Sequence, residues 1–171
     1  MNGAMPTLRV ALLQAPCSTE EPAQNLATLA RAAAHYAASA DLLITPELFV
    51  TGYGGTHTHA QPAACGSYLD AVTEIVRAHG ISILYGFAEV ADDGTTQHIS
   101  CSLVGGSPPQ RLFTYRKAHL WTPSPFEAAN FTPGRDEPPV VTLKGVRISP
   151  LICFDVEVGP PAGVVHQQAN R

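Results

Sequence analysis

Charge is sparse in this 171-residue chain. Asp, Glu, Lys and Arg make up 14% of it, and the formal net charge is −4. No basic stripe runs along it, so the electrostatic footprint of a nucleic-acid binder is missing. No polybasic cluster is present to hold an anionic membrane surface. No apolar run approaches the roughly 20 residues that a bilayer-spanning helix needs. The opening segment MNGAMPTLRVALLQAP lacks a basic leader, and Arg9 breaks its short apolar stretch, so no secretory signal is expected. These absences point to a cytoplasmic protein. Cys17, Cys65, Cys101 and Cys153 are spaced too widely and irregularly for a CxxC pair or a zinc pattern. In a reducing compartment they are expected as thiols, and one in a sharp context is a nucleophile candidate. Gly105-Gly106 lacks the flanking pattern of a nucleotide loop. His57 and His59 have no evident third ligand and read as part of a solvated loop. There is no internal repeat and no low-complexity tract.

What is present is apolar material, 45% of the chain, enough for one packed domain. Residues 8–14 (LRVALLQ) and 42–46 (LLITP) read as buried strands. Between them a helix is predicted over residues 22–40, with Leu26, Leu29, Ala33, Ala37 and Ala40 on one face and Pro22 in its first turn. A Gly- and His-rich loop covers residues 52–66. A second helix spans residues 68–79 and stops at Gly80. Strands follow at 81–90, 98–104 and 111–116, with turns at Asp93-Gly94 and residues 105–109. A proline-bearing loop at 121–139 leads to a last hairpin, 140–143 and 146–152, around Lys144-Gly145. Strand–helix–strand–helix followed by strands is an α/β layered domain.

Three reactive side chains each follow an apolar, strand-like run: Glu47 after LLITP, Lys117 after LFTYR, Cys153 after PLI. Strand ends are where layered domains gather functional groups. A thiol needs a base or a cationic neighbour, a carboxylate can take its proton and later activate water, and an ammonium can hold an oxyanion. An assembled site of this kind is expected to depress the cysteine pKa. Taken singly, each residue has an ordinary alternative: a solvated carboxylate, a surface lysine, a small core hydrophobe.

The segments LLITPELFVTGY, YRKAHLW and LICFDVE resemble the three signature blocks of the nitrilase superfamily of carbon–nitrogen hydrolases, in the family's order. RVALLQAP resembles its first strand, and FEAANFTPG its loop between lysine and cysteine. The resemblance implies a four-layer α-β-β-α sandwich. It implies Glu47 as general base, Lys117 as oxyanion stabiliser and Cys153 as nucleophile. Glu127 would position the lysine or the substrate, with a solvated loop carboxylate as the alternative. The backbone N–H of Phe154 would complete the oxyanion site. Tyr53 would line the substrate pocket, with a core-facing tyrosine as the alternative. The implied substrate is a small amide or nitrile, cleaved through a cysteine thioester without metal or organic cofactor. The trio leaves nitriles, aliphatic amides, ω-amides and N-carbamoyl compounds open. An inactive remnant or partner subunit and a related cysteine-dependent acyltransferase are the alternative functions. Relatives of this kind are commonly homo-oligomers.

Two departures stand out. Ser149-Pro150 falls inside the strand expected to lead to Cys153, where proline removes a ladder donor. After residue 157 the pattern collapses into VGPPAGVVHQQANR. The expectation is therefore residues 1–157 as the N-terminal part of a carbon–nitrogen hydrolase domain and 158–171 as a divergent tail. Roughly the last third of the family domain would be absent, as from a truncated or frame-shifted gene, leaving apolar surface and a sheet edge exposed.

Overall fold

The structure is a computed structural model, and it describes residues 5–53 and 64–158, with backbone only at 64–67. The expected solvated loop with His57 and His59, and the tail from 159 on, lie outside the described residues.

The element order is β1 (Val10–Leu12), α1 (Pro22–Tyr36), β2 (Leu42–Ile44), α2 (Ala64–His79), β3 (Ser82–Val90), β4 (Gln97–Gly105), β5 (Gln110–Arg116), α3 (Pro125–Asn130), β6 (Val141–Leu143), β7 (Val146–Ile148) and α4 (Phe154–Val158). β1 to β5 form one sheet in sequence order, and β6 and β7 a separate two-stranded sheet. β1, β2 and β3 run parallel, joined by helices, whereas β3–β4 and β4–β5 are antiparallel hairpins. A parallel neighbour needs a crossover and an antiparallel one does not, which is why the two long helices, α1 and α2, fall between the parallel strands.

Alternation along β3 sorts the core. Ile83, Tyr85 and Phe87 join Leu29, Ala33, Val72 and Val76 beneath α1 and α2. Ala88 and Leu84 face the other way, with Ile99, Leu103 and Tyr115, and Val141, Leu143 and Ile148 of the small hairpin pack there too. Helices, main sheet and small sheet are thus successive layers of the α/β sandwich. Lys144 and Gly145 both have positive φ, 49° and 81°, as a two-residue hairpin of this hand requires. Lys144 Nζ also reaches Asp41 Oδ1 at 2.7 Å, tying the small sheet to the β2 entrance. Among the described residues no helix is long and apolar enough to cross a membrane.

Several elements differ from the sequence expectation, the short strands β1 and β2 among them. The first helix ends at Tyr36, and the N–H groups of Ser39 and Ala40 fold back onto the Tyr36 carbonyl. The second begins earlier, at Ala64. The loop at 121–139 contains α3, opened by Pro125 at a position where a missing N–H costs nothing. β7 stops at Ile148: Ser149-Pro150 is not within a strand, because proline cannot donate to the ladder.

Candidate active site

β2 and β5 point the same way in the sheet, so the chain leaves both at the same end. Beyond β2 it enters a tight turn carrying Glu47. The N–H of Phe49 bonds the Pro46 carbonyl at 3.3 Å and that of Gly52 the Leu48 carbonyl at 2.7 Å. Leu48, fully buried, takes a left-handed φ of 55°. The turn lies directly on β3, whose Gly86 carbonyl accepts the Val50 N–H at 3.0 Å. A Cβ at Gly86 would sit 2.7 Å from the Pro46 oxygen and 2.8 Å from the Leu48 nitrogen, so only glycine permits this contact.

Lys117 is the first residue past β5. Its N–H bonds the Ile99 carbonyl at 2.8 Å, and its own carbonyl accepts the Gly134 N–H at 2.7 Å. Its side chain is fully buried, with Nζ 2.8 Å from Glu47 Oε1 and 2.9 Å from Glu127 Oε2. Glu127 sits in the first turn of α3, 1% exposed. The Tyr53 hydroxyl donates to its Oε1 at 2.9 Å, and the Trp121 N–H to its Oε2 at 2.8 Å. Glu127 is therefore no solvated loop carboxylate. Tyr53 is not core-facing either: it is 40% exposed, and its ring meets Phe126 at 5.1 Å.

Cys153 precedes α4 in a left-handed conformation, φ 48°, which a non-glycine residue adopts only when its surroundings hold it there. It follows a loop and not a strand, unlike the expectation. Cys153 is exposed, and its thiol lies near enough to the Glu47 carboxylate for the two to interact. Both line one cavity of about 140 Å³, walled mainly by apolar groups including Ile44, Leu84, Leu151 and Ile152. Phe154 opens α4, so its N–H lies outside the helix's own ladder. A wider hollow of about 890 Å³, lined by Glu89, Asp92, Arg111 and Arg116 among others, contains none of these residues.

The electrostatics follow from burial and pairing. Burial pushes Glu47 up; Lys117 pulls it down and the Glu127 charge adds to the rise, leaving it above the usual glutamate range. Burial presses Lys117 down, but its hydrogen bonds to Glu47 and Glu127 outweigh that and hold it raised, hence charged. For Cys153, burial and the Glu47 charge outweigh Lys117, and the thiol is raised. This direction is opposite to the depressed cysteine pKa expected from the sequence: burial first, and then the adjacent carboxylate, favour the proton on sulfur.

The structure brings Glu47, Lys117, Cys153, Glu127 and Tyr53 together, and Phe154 follows Cys153 as the first residue of α4. One participant escaped the sequence reading. Asp155, fully buried, accepts from the Tyr115 hydroxyl at 3.0 Å and from the N–H groups of Ala118, His119 and Ile152 at 3.1, 2.8 and 3.1 Å. The available signal was an acidic residue two places beyond the cysteine in an otherwise apolar block.

Comparison with known proteins places the family and the fold. The family profile described as "Carbon-nitrogen hydrolase" matches residues 9–161. The chain is 36% identical over 157 residues to a protein named "Hydrolase in pqqF 5'region" of Pseudomonas protegens, covering 88% of this chain and 52% of that one. It is 33% identical over 153 residues to an (R)-stereoselective amidase of a Pseudomonas species, covering 88% and 53%. An amidase of Nesterenkonia sp., known from its crystal structure, superposes with a TM-score of 0.79 at 29% identity, over 92% of this chain and 60% of that one. The chain spans about half the length of the curated relatives it matches. Residues, fold and relatives converge on one assignment: the chain belongs to the carbon–nitrogen hydrolase family, within the nitrilase superfamily.

Proposed function

We propose that this chain carries the active site of an amidase that hydrolyses small amides through a thioester on Cys153. Glu47 takes the thiol proton as sulfur attacks the carbonyl carbon. The carbonyl π electrons move to oxygen, and Lys117 Nζ and the Phe154 N–H hold that oxyanion. The oxyanion collapses, the carbon–nitrogen bond breaks, and Glu47 returns its proton to the departing nitrogen as ammonia or an amine. Water then attacks the thioester, giving Glu47 a proton that passes back to sulfur as the acid leaves. Glu127 fixes the Lys117 ammonium, and the Tyr53 hydroxyl fixes Glu127.

The observation that carries this reading is the fully buried Lys117, clamped at 2.8 and 2.9 Å between two carboxylates, one of which, Glu47, lines the same cavity as Cys153. Burying an ammionium-type charge is costly, and a purely structural site would be served as well by apolar packing. The apolar walls and the volume of about 140 Å³ suit a short aliphatic acyl group. The Nesterenkonia amidase, in a Cys→Ala variant, has been solved with butyramide, which makes that amide the natural first substrate.

The test is ammonia release from a series of short aliphatic amides, with the matching nitriles alongside. Butyramide-sized amides should turn over, and Cys153→Ala and Lys117→Ala should each abolish it. Turnover retained in Cys153→Ala would reject the mechanism. Product diverted to an added amine at the expense of the acid would reassign the protein as an acyltransferase.

A further inference from the structure

We propose that Asp155 is a positioning residue that fixes the Cys153 sulfur against Glu47 and Lys117 by cross-linking the backbone segments that carry the lysine and the cysteine. As a statement about turnover this rests on the hydrolase reading above. As a statement about where the sulfur sits it does not.

The partners of Asp155 fall into two sets. Oδ1 accepts from the N–H groups of Ala118 and His119, the two residues after Lys117, and lies 3.1 Å from His119 Nδ1. Oδ2 accepts from Tyr115, two residues before Lys117, and from the N–H of Ile152, the residue before Cys153. The Asp155 N–H returns a bond of 3.0 Å to the Ile152 carbonyl, and the Val156 N–H bonds the Cys153 carbonyl at 3.0 Å. The left-handed Cys153 is therefore bracketed on both sides by bonds that begin or end next to Asp155. Those to residues 115–119 span 36 to 40 positions of sequence.

Every one of these partners offers a proton, except that the His119 ring can face Asp155 with or without one. The carboxyl group meets these donors on both of its oxygens, so each oxygen holds a different segment. Asp155 does not line the cavity shared by Glu47 and Cys153, so it acts through the backbone and not on substrate. Left to itself, Cys153 would relax out of its strained φ, and a displacement of about 1 Å at a nucleophile costs on the order of 10²-fold in rate.

The test compares the unaltered chain with Asp155→Asn and Tyr115→Phe by two readouts. The first is kcat and KM for a short aliphatic amide. The second is the pH profile of Cys153 alkylation by iodoacetamide, located by peptide mass spectrometry. Asparagine turns an amide donor toward groups that themselves donate, so one or both segments should detach. We expect kcat to fall on the order of 10²-fold in Asp155→Asn and about fivefold in Tyr115→Phe, with KM changed far less. The charged groups facing Cys153 are Glu47, Lys117 and Glu127, and burial and Glu47 dominate by raising its pKa. A released thiol should therefore alkylate at lower pH in both variants. Where Asp155→Asn does not fold, Tyr115→Phe carries both readouts, since it deletes one oxygen from an intact core. Folded variants with kcat within about twofold of the parent and a superimposable alkylation profile would overturn the proposal. A shifted profile in a chain that hydrolyses no amide would sink the hydrolase reading and leave the placement role standing.

Discussion

Glu47 and Lys117 are each other's counter-ion, and each changes what the other can do. The ammonium keeps a largely buried glutamate available as a base, although burial and the second carboxylate leave it above the ordinary glutamate range. Because the folded state raises this pKa, Glu47 favours folding at pH below the ordinary glutamate range. That contribution is lost as pH rises through its raised value. At neutral pH burial of the ionised side chain opposes folding, while its pairing with the buried Lys117 ammonium favours it. Glu47→Gln should abolish amide turnover and, by leaving Lys117 one carboxylate short, lower the melting temperature at pH 7; thermal melts beside an ammonia assay would check both. Glu127 raises Glu47 by its charge, so Glu127→Gln should move the acid limb of the kcat/KM profile to lower pH; an unmoved or raised limb would contradict the coupling. The reactive trio was legible in the sequence because its chemistry resides in residue type and sits in ordered blocks. Asp155 was not, because three of its donors are backbone N–H groups, which any residue supplies.

Elements deliver these side chains through a few close backbone approaches. The Glu47 turn rests on β3 at Gly86, and a methyl group there would collide with backbone that cannot swing away. Gly86→Ala should destabilise the chain by about 1–3 kcal/mol and displace Glu47 enough to lower kcat by more than the stability change explains. Denaturant melts and kinetics on the folded fraction would separate the two effects. The long elements could be read from the sequence. α1 and α2 show helical phase, β3 to β5 are apolar runs divided by Gly-containing turns, and the Lys144-Gly145 hairpin is a strong turn signal. α3 was missed because six residues cannot display a 3.6-residue period, and it carries the buried Glu127. The approach to Cys153 was misread for the opposite reason: the apolar pattern continues through Pro150 to Ile152, but the hydrogen-bond ladder does not.

At the scale of the molecule, the main sheet ends in β1, where Val10 is 46% and Leu12 67% exposed. A short edge strand with apolar side chains and unpaired backbone groups invites pairing with another chain. Leu12→Lys should reduce concentration-dependent light scattering without altering amide turnover, since β1 touches none of the site residues' hydrogen bonds; equal scattering would mean that this edge is not where molecules meet. The layered α/β class could be read from the order of strands and helices, whereas the meeting of Glu47, Lys117 and Cys153 at one end of the sheet was implied by the family resemblance and not by strand periodicity. It depends on β2 and β5 running in the same direction, which only the pairing pattern determines. The central claim is that these three side chains act on one electrophilic carbon, with the sulfur forming the bond. The most direct measurement is acid-quenched mass spectrometry of the chain during turnover of butyramide. The account predicts a butyryl group on the peptide containing Cys153, absent from Cys153→Ala. Ammonia release with that peptide never acylated, or with the acyl group on Cys17 or Cys101, would contradict it.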